Sequence, residues 1–134
     1  MPKYHPIDQP IAMKPGDGNL LNLVLKGRDL VADFVVPGDA QHTLRLQFER
    51  VHIIRTLDEM PLSTETEDTP NEGILADHFA YLVDGAHFWN QQSSAFKINF
   101  PNARHFRFLT GWTCLDVIAE GQPKLSVVLR DDRD

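Results

Sequence analysis

A single cysteine, Cys114, leaves the chain without an intramolecular disulfide, and with it goes any cysteine evidence for an oxidising compartment. No stretch approaches the roughly 20 consecutive apolar residues that a membrane-spanning helix needs. The first ten residues hold Pro2, Pro6 and Pro10 and lack an apolar run of signal-peptide length, so the expected compartment is the cytoplasm and no membrane role is expected. Lys and Arg never cluster, which argues against a nucleic-acid partner, because affinity for a polyanion comes from grouped cations. Glycines do not gather into a phosphate-cradling loop, and none of Ser63, Ser93, Ser94 and Ser126 sits in a G-x-S-x-G elbow.

What is present is core material and one concentration of charge. Of the 134 residues 42% are hydrophobic, eight Phe and two Trp among them. A chain of this length buries roughly two thirds of its unfolded surface, so residues 1–134 are expected to form one domain. The net charge of −6 has a local source. Asp58 to Glu72 reads DEMPLSTETEDTPNE, with six carboxylates and no Lys or Arg, which leaves 13 of the 19 acids to balance 13 bases elsewhere. Polar Ser/Thr/Glu/Pro segments gain little from burial, so 58–75 is expected to be an exposed acidic loop. Residues 1–18 are expected to be an irregular arm, and 130–134 a frayed tail.

Period-2 alternation dominates the rest. Leu21, Leu23 and Leu25 precede a Lys26–Asp29 break, and Leu30, Ala32, Phe34 and Val36 follow it, which predicts a hairpin. His42 to Leu57 alternates with one change of phase near Glu49–Arg50, the pattern of a strand with a bulge or a sheet-switching bend. Asp77–Val83, Ala95–Phe100, Arg104–Thr110, Cys114–Ala119 and Leu125–Leu129 complete about eight strands. A short helix is predicted only over Ala86–Ser93. The expected class is therefore all-β and mainly antiparallel, a β-sandwich or partly open barrel with at most one or two short helices.

Catalytic candidates are few. The histidines at 5, 42, 52, 78, 87 and 105 lack ligand spacing, although His78, His87 and His105 would suit a metal ion if strand pairing joined them. Alternation puts His78 and His105 opposite Phe79 and Phe106, which predicts that both face solvent. Cys114 lies beside Asp116, whose charge opposes a thiolate, so it is expected to be a small buried hydrophobe. No catalytic residue, metal or cofactor is assigned. The segment from His78 to Phe108 mixes aromatics with amides and Arg, as interface cores do. Contact candidates are Trp89, Trp112, His87, Asn90 and Arg104, together with Glu65, Glu67 and Asp68 of the acidic loop. Trp112, at a hairpin tip, is the hardest of these to bury.

The strand pair Asn22–Val36, the long bent strand Arg45–Arg55 and the closing block RHFRFLTGWTCLDVIAEG together resemble small bacterial β domains of unassigned function, some of which look like toxin-immunity proteins. The resemblance implies a bacterial, cytosolic, non-enzymatic protein and carries no site residues. Three functions compete. The first is a protein-binding module whose acidic loop and aromatic patch engage a basic partner; the second is a small-ligand or carbohydrate binder using Trp89, Trp112 and nearby Asn and Gln. The third is a metal-dependent hydrolase around His78, His87 and His105.

Overall fold

A computed structural model describes residues 2–65 and 69–130 of the chain. The strands are β1 (Lys3–Pro6), β2 (Leu20–Lys26), β3 (Asp29–Val36), β4 (Asp39–Phe48), β5 (Arg50–Asp58), β6 (Ala80–Asp84), β7 (Ala103–Phe108), β8 (Thr113–Glu120) and β9 (Lys124–Leu129). Helices α1 (Glu59–Glu65), α2 (His87–Asn90) and α3 (Ser94–Asn99) are all short. Two antiparallel sheets result, ordered β1-β6-β7-β8-β5 and β2-β3-β4-β9, and neither closes into a barrel. The architecture is the expected all-β, sandwich-like one, with nine strands and three short helices among the described residues where about eight strands and at most one or two short helices were expected.

Phenylalanines join the sheets. Phe34 of β3 meets Phe79 at 5.2 Å between ring centroids, and Phe48 of β4 meets Phe106 of β7 at 5.2 Å. Phe108 stands among Phe34, Phe48 and Phe79 at 6.0, 6.2 and 5.9 Å, so one ring touches both layers. Edge-on and offset contacts of this kind add to the area each ring buries.

The change of phase near Glu49 marks a sheet switch. β4 lies in the four-stranded sheet, β5 lies in the five-stranded one, and Glu49 is the residue between them. The bulge itself falls three residues later, where the β5–β8 register shifts between Val51 and Ile53.

Four local expectations are corrected. Residues 1–18 are not all irregular: β1 pairs with β6, Pro15–Asp17 form a 3-10 turn, and Met13 is buried in the main core. Residues 58–75 are not simply a loop, because Asp58 ends β5 and the next seven residues form α1, whose Leu62 is buried. Ala95–Phe100 is helical rather than extended. Ser93 Oγ accepts a hydrogen bond from the Phe96 N–H at 3.1 Å, capping α3, and Phe96 packs on Phe100 one turn later while Ile98 points to water. In a six-residue stretch, apolar residues at i, i+2 and i+4 fit a strand, but i and i+4 alone fit a helix, and the cap decides. Finally, His105 is buried and His78 half-buried rather than facing water, because the sheet face on which His105 lies is covered by helices. Of the tail, Arg130 extends the β4–β9 ladder through Gln41 at 2.7 Å, and 131–134 lie outside the described residues. No helix among the described residues is long and apolar enough to cross a membrane.

Candidate functional site

Strand alternation builds a row of charge on the outer face of the five-stranded sheet. Phe106, Phe108, Leu115 and Val117 turn toward the shared core, so their neighbours His105, Arg107 and Asp116 turn the other way. Register sets Tyr81, Arg107, Asp116 and Arg55 side by side across β6, β7, β8 and β5. Cross-strand neighbours this close interact directly. Asp116 accepts from His105 Nε2 at 2.7 Å, from Arg107 Nε at 2.7 Å, and from Arg55 Nε and Nη2 at 3.0 and 2.6 Å. Arg55 also donates both terminal nitrogens to Glu65 of α1, at 2.8 and 3.1 Å. Arg107 donates to the Tyr4 hydroxyl at 2.9 Å. Phe88 of α2 seals this layer, lying 4.2 Å beneath the Arg55 guanidinium and 5.4 Å from the His105 ring.

Two arginines and two carboxylates beside a neutral imidazole leave this largely buried group without net charge. Burial alone would raise the Asp116 carboxyl, but the hydrogen bond from His105 and the charge and hydrogen bond of Arg107 outweigh it and hold the group well below the usual range. Burial pushes His105 down, against the pull of Asp116. The imidazole is therefore neutral, its Nε2 proton is committed to Asp116, and its buried Nδ1 has no hydrogen-bond partner. A His–Asp pair is the usual frame of a general base, but this ring is sealed from water and no hydroxyl or thiol meets Nδ1.

Cys114 is buried beside this row, and burial is the main cause pushing its thiol up. Its sulfur exchanges long hydrogen bonds with the Thr110 backbone at 3.4 and 3.6 Å. Cys114→Ala is expected to cost only packing free energy, about 1 kcal/mol by denaturant unfolding, and the native thiol should react with a disulfide reagent far more slowly than the unfolded one.

A cleft of about 480 Å³ opens at the β7–β8 turn, next to Tyr4. The turn Leu109–Gly111 forms one wall, the 3-10 turn a second and α1 a third. Close backbone approaches shape it. Gly111 donates to Gly18 O at 3.3 Å, and a Cβ on Gly111 would stand 2.8 Å from Gly16 O. Gly73 has φ +94°, and a Cβ there would collide with the Tyr4 carbonyl. Trp112 lies at the mouth, 69% exposed. Its backbone is fixed on both sides, accepting from the Glu59 N–H at 2.7 Å and donating to Thr110 Oγ1 at 3.1 Å.

The contact candidates scatter. Among the described candidates, Trp112 alone lines the cleft. Trp89 packs with Phe88, Phe96 and Phe100 near Ala103, and Lys97 lies 5.1 Å over its ring. That is the opposite end of the β7–β8 hairpin, a strand length of roughly 20 Å away. His87 is exposed at the start of α2; Asn90 Nδ2 donates to Gly85 O, and Arg104 Nη1 to the Pro101 and Ala103 carbonyls, so both support turns. Glu65 belongs to the buried clamp, and Glu67 and Asp68 lie outside the described residues. His78 donates to Ile7 O at 2.7 Å while His105 serves Asp116, and among the described residues no three His, Cys, Asp or Glu side chains form a metal-holding set. Tyr4, Arg55, Glu59, Arg107 and Asp116 were missed. The signal for Asp116 was there, since an aspartate inside the apolar run Cys114–Ala119 has to be paired to be buried.

Comparison of the chain with models of protein families, with curated proteins and with solved structures gives no match.

Proposed function

We propose that the protein is a non-enzymatic protein-binding module of a bacterial cytosol, immunity-like in type, that captures a basic partner. The observation carrying this reading is Trp112, a large aromatic held open at the mouth of a cleft by a backbone hydrogen bond to an acidic residue, Glu59. Tryptophan is the residue type most enriched at binding hot spots, and a rigid turn presents it at little entropic cost. Met60 of α1 and Ile74 and Leu75 of the 71–75 segment are also exposed, at 74%, 44% and 51%, in two of the segments that line the cleft. Acidic residues in the same segments supply the long-range attraction that speeds capture of a cation-rich surface. The sealed state of His105 and Cys114 supports binding over catalysis.

A small-ligand reading draws on the same cleft, whose volume falls within the roughly 300–1,000 Å³ of ligand pockets. It has lost its second tryptophan, because Trp89 stands at the far end of the hairpin. The protein-binding reading needs only the surface that Trp112 and Glu59 share.

Affinity capture from the source cell with the full chain immobilised tests this. Trp112→Ala should weaken retention of the captured partner by roughly 30-fold, the worth of a hot-spot side chain of about 2 kcal/mol, while leaving stability within about 0.5 kcal/mol. Amides at Asp58, Glu59, Glu67, Asp68 and Glu72 should slow capture most at low salt. Glu65 is spared from that set because it clamps Arg55. Retention unchanged in both variants would overturn the proposal.

A further inference from the structure

Resting on the protein-binding reading, we propose that the cleft receives one arginine side chain of the partner, its guanidinium between the Trp112 ring and the Glu59 carboxylate. Among the described residues, those lining the walls carry a single formal charge, that of Glu59. Residues flanking the walls add Asp17, Asp58 and Glu72 against Lys3 and Lys14, all exposed, so the mouth is net acidic. Leu62, Ile74 and Leu109 line the interior with apolar surface suited to a three-methylene stem. Glu59 and Trp112 cannot drift apart, because the 2.7 Å bond from the Glu59 N–H to the Trp112 carbonyl ties their backbones together. Arginine rather than lysine fits, since a planar guanidinium stacks on an indole and donates to a carboxylate at once.

The molecule contains this unit already. Arg55 lies over Phe88 at 4.2 Å while donating to Glu65 and Asp116. There the aromatic, the cation and the carboxylates are all supplied by this chain, with Phe88 and Asp116 buried and Arg55 and Glu65 half-buried. Trp112 and Glu59 offer the aromatic and the carboxylate to solvent. Trp89 serves as a contrast, because its ring is covered by the chain's own Lys97.

The test uses the full, isotopically labelled chain and follows both indole N–H resonances as three capped tripeptides are added: glycyl-arginyl-glycine, glycyl-leucyl-glycine and glycyl-glutamyl-glycine. The arginine peptide should move the Trp112 resonance with affinity on the order of millimolar, as one stacked, charge-paired side chain supplies, and leave Trp89 in place. Glu59→Gln, an exposed change that retains the Ser63 hydrogen bond, should weaken that response about tenfold. An arginine peptide that leaves Trp112 unmoved at tens of millimolar would refute the proposal, as would an equal response to the leucine or glutamate peptide. A response to leucine alone would refute only the guanidinium assignment and leave the protein-binding reading standing. That reading instead falls with partner retention unchanged in both Trp112→Ala and the amide variant.

Discussion

Asp116→Asn should lower the free energy of unfolding by about 3–5 kcal/mol, the cost of removing one partner from a buried charge pair. A domain of this size has roughly 5–15 kcal/mol in hand, so the variant should be marginal or fail to accumulate as folded protein. The size follows from what the carboxylate holds. It accepts from three side chains, and with an amide in its place Arg55 and Arg107 would share only Glu65, which meets Arg107 Nη2 at 3.8 Å. An amide would also turn N–H donors toward other donors. The effect has a pH signature. Asp116 and Glu65 are both held below their ordinary values in the folded protein, Glu65 chiefly by its hydrogen bonds from Arg55. A depressed carboxyl contributes its full stability above its unfolded value, near pH 4, and loses it as pH falls toward the folded value. The gap between wild type and Asp116→Asn should therefore be constant above about pH 6.5, where His105 does not titrate in either state, and should narrow below about pH 4. Urea unfolding across that range measures it, and a gap under 1 kcal/mol at pH 7 would show that the row contributes little. His105 adds a second, earlier loss. Its folded value is lowered, so its contribution is complete above about pH 6.5 and declines below that, as the unfolded chain takes up a proton the folded one refuses.

Phe108→Ala should cost about 3–5 kcal/mol, at the upper end for a core truncation. The ring is fully buried and touches Phe34 and Phe48 of one sheet and Phe79 of the layer opposite. Its loss would open a cavity where the sheets meet, and strands fixed by their own ladders cannot close in to fill it. The denaturant midpoint should drop while the slope stays unchanged, since the same surface is exposed on unfolding. A drop below 1 kcal/mol would mean that the layers repack around the gap.

Legibility divided along physical lines. The hairpin Leu20–Val36 was readable because Leu23, Leu25, Leu30, Ala32 and Phe34 mark one face with a turn between them, and local pattern is enough for such an element. Even there Leu21 falls at a register shift and ends 46% exposed, outside the phase of its neighbours. Ala95–Phe100 was misread because six residues do not separate period 2 from period 3.6, and the Ser93 cap carried more information than the apolar spacing. Trp112 was identified as exposed from its place at a turn. The cleft beside it was not identified, because Gly16, Glu59, Ile74 and Gly111 come from four separate segments of the chain.

Alternation along β7 and β8 already separated Phe106 and Phe108 from His105 and Arg107, and Leu115 and Val117 from Asp116, since a pleated strand must send successive side chains to opposite faces. The sequence by itself therefore determined the all-β class, the two faces of most strands, the absence of a disulfide and the location of excess negative charge. It did not determine which faces would be covered. That was decided when α1 and α2 folded over the outer side of the five-stranded sheet, turning a row that a lone strand would show to water into a sealed ionic layer. The same packing left Trp112 and Glu59 open while closing Trp89 under Lys97. Burial is a property of what lies across a gap, and partners distant in sequence leave no mark in local periodicity.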